Sequence, residues 1–88
     1  MEIAFSTSFK RAFKNRIQGK KDLEENFWEK VALFKINPFD SKLKTHKLSG
    51  KLKDLWAFSV GYDLRVVLNF IEDKKALFID IGKHDEVY

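Results

Sequence analysis

Residues 63–71 read DLRVVLNFI with a period of two. Leu64, Val66, Leu68 and Phe70 fall on one face, and Asp63, Arg65, Val67 and Asn69 on the other. A strand with one wholly apolar face needs a covering layer on that side, so the chain must build a sheet and bury it. The opposite face carries a carboxylate and a guanidinium two residues apart, projecting the same way. On so apolar a strand, that pattern implies a face that is wet or that binds something. Upstream, residues 55–60 form a shorter strand, with Gly61 and Tyr62 as the turn, and a basic loop holding His46, Lys47, Lys51 and Lys53 leads into it.

The rest of the chain supplies the cover. Residues 2–6 read as an opening strand, and Ser6 or Thr7 can cap the helix that follows, in which Phe9, Phe13 and Ile17 recur every four residues until Gly19. A second helix opens near Asp22 with the stripe Leu23, Phe27, Val31 and Phe34, Trp28 at its edge, and Asn37-Pro38 as its stop. These aromatics at helical spacing read as core. Residues 39–53 contain few apolar side chains and read as a loop or short irregular strand along the edge of the domain. The last strand, 75–82, is expected to set Leu77, Ile79 and Ile81 against Ala76, Phe78 and Asp80, with residues 72–74 as the tight connection before it. The expected fold is α+β: a two-helix hairpin on one face of an antiparallel sheet, in the order β-α-α-β-β-β, forming one domain over residues 1–88. A chain this short needs a dense core, which nine Phe and two Trp can provide.

Composition narrows the chemistry. With no cysteine there is neither a disulfide framework nor a thiolate metal site. No apolar run is long enough for a signal peptide or a membrane span, so a cytoplasmic location is expected. Six basic residues and no acid lie between Lys10 and Lys21, and five lysines with His46 and no acid lie between Ser41 and Lys53. Such clusters suit a polyanion, nucleic acid or an acidic protein segment; a lysine-rich surface kept for solubility gives the same pattern.

The residues able to do chemistry are few: His46, Asp63, Arg65, His84, Tyr88 and the lysines around them, Lys44, Lys47, Lys51, Lys53 and Lys83. No glycine-rich phosphate loop and no Ser-His-Asp spacing is present, and two histidines without cysteine are a weak metal signal. A general acid, a general base and a fixed cation remain, needing no cofactor. That set suits RNA cleavage by the substrate's own 2′-hydroxyl, with histidine, of ordinary pKa roughly 6.5, moving the protons. Plainer readings stand beside these: a solvated loop for His46, a strand end for His84, a salt bridge to Asp63 or Asp80 for Arg65, and a frayed terminus for Tyr88.

The order of elements, the strand text GYDLRVVLNFIEDKKALFIDIG and the ending GKHDEVY resemble the RelE/ParE superfamily of bacterial toxins from type II toxin-antitoxin modules, and HKLSGKLKDLWAFSVGYDLRVV is most similar to the YafQ branch. The likeness spans essentially the whole chain, and residues 43–88 carry its specificity. It implies a ribosome-dependent endoribonuclease, an mRNA interferase, that needs no metal and is held inactive by a cognate antitoxin in a hetero-oligomer. The resemblance matches His46 to the histidine before the YafQ basic loop, Asp63 to the aspartate opening the next strand, Arg65 to the RelE arginine that contacts the scissile phosphate, His84 to the histidine of the closing motif and Tyr88 to its terminal aromatic. Asp63 or His46 is then the base, His84 the acid and Arg65 the phosphate clamp, and the lysines contact RNA. The chain departs from YafQ at Ser59, where a further histidine is expected, and at Leu64, where an aromatic is expected; RelE proper has Lys and Arg in place of His46 and His84. ParE members of the superfamily instead poison DNA gyrase, and a weakened homologue would bind only its antitoxin or RNA; fold does not separate these.

Overall fold

Ser6 starts the first helix. Its backbone is extended and its Oγ accepts a hydrogen bond from the Phe9 N–H at 3.0 Å, satisfying one of the donors that a helix leaves open at its N-terminus. The computed structural model describes residues 1–52, 54–61 and 63–87. In chain order these form β1 (Glu2–Phe5), α1 (Thr7–Arg16), α2 (Lys21–Ile36), β2 (His46–Lys47), a 3₁₀ turn (Gly50–Leu52), β3 (Trp56–Val60), β4 (Leu64–Glu72), β5 (Lys75–Lys83) and a one-turn α3 (His84–Val87). The Ile17 N–H caps α1 on Phe13 O, and Gly19, at φ +85°, turns the chain back for α2. The Asn37 N–H closes α2 on Leu33 O, and Pro38 prevents its continuation.

The sheet runs β1-β5-β4-β3-β2. The three long strands form the antiparallel meander expected from their short connections, and Asp73 and Lys74 make the second turn. β1 lies parallel to β5, so the sheet is mixed rather than wholly antiparallel as expected; the chain between these two strands passes through the helical hairpin and the other three strands, long enough for the connection that a parallel pair requires. The edge segment contributes β2, paired antiparallel with β3, as well as the 3₁₀ turn.

The helices cover one face. Phe9, Phe27, Phe34, Phe58 and Phe78 are buried there with Val31, Val66, Leu68 and Ile81. Phe78 is the hub, with ring centroids 5.4–5.6 Å from Phe5, Phe9, Phe34 and Phe58. The other face has a smaller apolar cluster: Leu48, Ala57 and Val67, covered by Leu52, Leu55 and Val87. Part of the face expected to be wet is therefore roofed by the loop after β2 and by α3.

Two expectations shift. β4 starts at Leu64, leaving Asp63 in the turn. The simple alternation of the last strand also fails: Val67 faces Asp80 while Leu68 faces Phe78, so Ile79 is an extra residue. This β-bulge puts Ala76, Phe78 and Ile81 into the core together, where strict alternation sets Ile81 apart from the other two.

Candidate active site

Directly opposed residues in a sheet share a face. Arg65 lies between Ser59 on β3 and Gly82 on β5, and its neighbours Leu64 and Val66 are in the helix-side core, so this row belongs to the helix-free face. Both neighbours are small and buried, Ser59 at 8% exposure. Its guanidinium is half-buried and Nη1 donates to Leu64 O at 3.2 Å. Asp80 does not serve it, since that carboxylate pairs with Arg16 at 3.3 Å. Held by a strand rather than a loop, Arg65 presents a fixed cation.

His46 lies on edge strand β2 opposite Ala57, which pairs in turn with Val67, and so belongs to the same face as Arg65. The two stand two strands apart and two residues out of row, about 10 Å across the sheet and ~7 Å along it. A substrate group between them, rather than direct contact, would link them. The exposed His46 ring lies with Nδ1 3.0 Å from Lys44 O. A carbonyl only accepts, so Nδ1 is the donor in this bond. Lys44 itself has φ +54°, a left-handed backbone uncommon outside glycine. The loop that holds this geometry is anchored: Leu43 is fully buried, Leu43 O accepts from the Ser59 N–H at 2.7 Å, and Thr45 Oγ1 donates to Pro38 O at 2.5 Å. His46, Lys47, Leu48, Ser49 and Leu52 line a surface depression of about 330 Å³, and Lys44, Lys47 and Lys51 are exposed around it.

The other rim forms at the far side of Arg65. Lys83 pairs with Leu64 in the last row of the two strands, with Asp63 in the turn before β4 and His84 opening α3 directly after β5. Asp63, Lys83 and His84 are all exposed. His84 opens α3, whose Val87 packs against the cluster of Ala57 and Val67, so the closing segment folds over the helix-free face. Tyr88 and Lys53 lie outside the described residues. Of the expected set, His46 and Arg65 thus lie on one side of the sheet, and His84 begins the segment that folds over that side. Sequence reading overlooked the two small neighbours of Arg65 and the roof. Leu48, Leu52 and Leu55 recur at intervals of four and three, a signal for that roof that the surrounding lysines obscure. Among the described residues, no three His, Asp or Glu side chains cluster closely enough to hold a metal ion, and no helix is long and apolar enough to cross a membrane.

The family model described as the bacterial toxin YafQ of type II toxin-antitoxin systems matches residues 1–88. No protein of curated function matches in sequence. Among solved structures, a metal-bound toxin from Helicobacter pylori is 24% identical with a TM-score of 0.78, covering 100% of this chain and 99% of its own. YafQ from Escherichia coli BL21(DE3) is 21% identical, TM-score 0.75, covering 99% and 97%. The YoeB-YefM complex from Staphylococcus aureus is 19% identical, TM-score 0.76, covering 96% and 97%. At these identities the structures speak for the fold.

Proposed function

The chain belongs to the YafQ family of toxins from bacterial type II toxin-antitoxin systems, and from that premise we propose that it is an endoribonuclease that cuts mRNA on the ribosome without a metal. The observation that carries this reading is Arg65, a strand-borne guanidinium flanked by Ser59 and Gly82, with one histidine beyond each side of it. In an in-line displacement the attacking and leaving oxygens lie on opposite sides of phosphorus, so base and acid must approach from opposite sides. This favours His46, on the β2 side of β4, as the base and His84, which follows β5 on the other side, as the acid. His46 Nε2 takes the 2′-hydroxyl proton, O2′ attacks the adjacent phosphorus, and Arg65 stabilises the charge on the equatorial oxygens. The P–O5′ bond then breaks as protonated His84 gives its proton to the leaving oxygen. The products are a 2′,3′-cyclic phosphate and a 5′-hydroxyl. Asp63 orients His84, Tyr88 stacks on or hydrogen-bonds the substrate, and Lys44, Lys47, Lys51, Lys53 and Lys83 hold the RNA backbone by charge. An antitoxin segment that covers this groove holds the toxin inactive in a hetero-oligomer, as the staphylococcal relative named above is found with YefM.

The test is made with purified toxin, ribosomes and a defined mRNA. A single 2′-deoxy substitution 5′ to the scissile phosphate is expected to block cutting, and the wild-type products to carry the ends given above. Cutting of the deoxy substrate at the normal rate, or 5′-phosphate ends, would mean that water attacks. Accumulation of cleaved gyrase-DNA complexes with intact mRNA would replace the nuclease by a gyrase poison.

A further inference from the structure

β1 pairs with β5 only as far as Phe78. Beyond that point the outer edge of β5 has no strand beside it among the described residues, and its backbone groups need other partners. Helix α1 supplies them from its two ends. At the start, Ser8 Oγ donates to Ile79 O at 2.8 Å and Ser6 Oγ to the same oxygen at 3.3 Å. At the finish, Arg16 Nη1 donates to Ile81 O at 2.7 Å and meets Asp80 Oδ1 at 3.3 Å, while that Oδ1 accepts from the Ile81 N–H at 2.8 Å.

All these contacts fall on the bulge. Because Ile79 is the extra residue, Phe78 and Ile81 are both buried on the helix side, and Gly82 comes opposite Arg65 on the free side. Were Ile79 paired instead of bulged, counting by two from Phe78 would send Asp80 and Gly82 to the helix side and turn Ile81 outward, because a one-residue slip reverses every later side chain. The bulge thus decides which face receives the closing segment.

We infer that Ser8, Arg16 and Asp80 are positioning residues, which hold the bulge at Ile79 and thereby deliver Gly82 and His84 to the face of Arg65. The side chains of the Arg16–Asp80 pair are about a third exposed, at 34% and 35%, so the pair is a weak stabiliser and its role is geometric. The kinetic consequence rests on the RNA-cleavage reading; the register does not.

Two measurements on the intact chain separate these. In the double variant Ser8→Ala/Arg16→Met, folded by far-UV circular dichroism, the cross-strand backbone NOEs between Arg65 and Gly82 are expected to weaken or vanish. Single-turnover cleavage of ribosome-bound mRNA should fall about tenfold to a hundredfold at saturating toxin, with the half-saturating concentration unchanged, as expected for misplacement rather than lost binding. Arg16→Lys keeps a donor for Ile81 O and should retain most of the rate. Unchanged NOEs in the double variant overturn the inference, as does a lower melting temperature with the rate per folded molecule intact. If the wild-type chain cuts no RNA, the functional reading falls, and the NOEs alone decide whether α1 sets the register. Deletion of Ile79 removes the extra residue itself, so Phe78 should stay opposite Leu68 and Gly82 opposite Arg65 with no bulge left to hold; in that background Ser8→Ala/Arg16→Met should leave the Arg65–Gly82 NOEs intact, and their loss there counts against the inference.

Discussion

Arg65 is anchored by the strand, by the burial of Leu64 and Val66 beneath it and by its own bond to Leu64 O. A donor fixed before the reaction pays no reorganisation when charge develops, and removing one such donor commonly lowers the rate on the order of a hundredfold or more. Arg65→Ala is therefore expected to reduce mRNA cleavage about a hundredfold while the folded fraction stays near wild type, measured by single-turnover cleavage and circular dichroism. Arg65→Lys should recover only part of the loss, since an ammonium is a point charge without the planar fork. For His46, the Lys44 carbonyl fixes the tautomer, so the two nitrogens of the ring are not equivalent. The arginine was legible in the sequence because a charge inside an apolar alternation demands a reason. Its small, buried neighbours were not, because Ser59 and Gly82 come beside it only through strand register.

Helices and long strands were legible because their periods run over several turns or repeats. Ser6 as cap, Gly19 as turn and Asn37-Pro38 as stop all follow from side-chain chemistry acting within a few residues. Ser6→Ala should lower the unfolding free energy by about 1–2 kcal/mol in denaturant titration, because the Phe9 N–H loses its acceptor. Two elements were too short to show a period: β2 has two residues and α3 four. The bulge in β5 escaped for another reason. In ALFIDI the wholly apolar parity is Leu77, Ile79 and Ile81, whereas Ala76 and Phe78 share theirs with Asp80, so alternation alone points to the set that does not face the helices together. α3 also carries a prediction of its own. It is fastened to the sheet through Val87, packed on the cluster of Ala57 and Val67; Val87→Asp should release it, lowering cleavage at least tenfold while shifting the melting temperature by only a few degrees.

Charge is organised on the scale of the whole molecule. The exposed side of α1 carries Lys10, Arg11 and Lys14, and the loop around His46 carries Lys44, Lys47 and Lys51, whereas Asp22, Glu24, Glu25 and Glu29 gather on α2. A formal charge of +4 thus understates the positive potential over the proposed groove. An antitoxin that covers this groove must neutralise those lysines, so its covering segment should be acidic, and encounter should be steered by charge. Because the Debye length shrinks from about 30 Å at 0.01 M salt to about 8 Å at 0.15 M, most of that steering is lost over this range. The association rate, followed by stopped-flow fluorescence of Trp28 and Trp56, is expected to fall by roughly tenfold or more between these salt concentrations, with the dissociation rate little changed. Reversing Lys47 and Lys51 to glutamate should flatten the dependence by slowing association at low salt. An association rate indifferent to salt would show that the antitoxin docks through apolar contacts instead, for which the cleft lined by Phe5, Phe9, Phe13, Phe27 and Trp28 is the alternative seat.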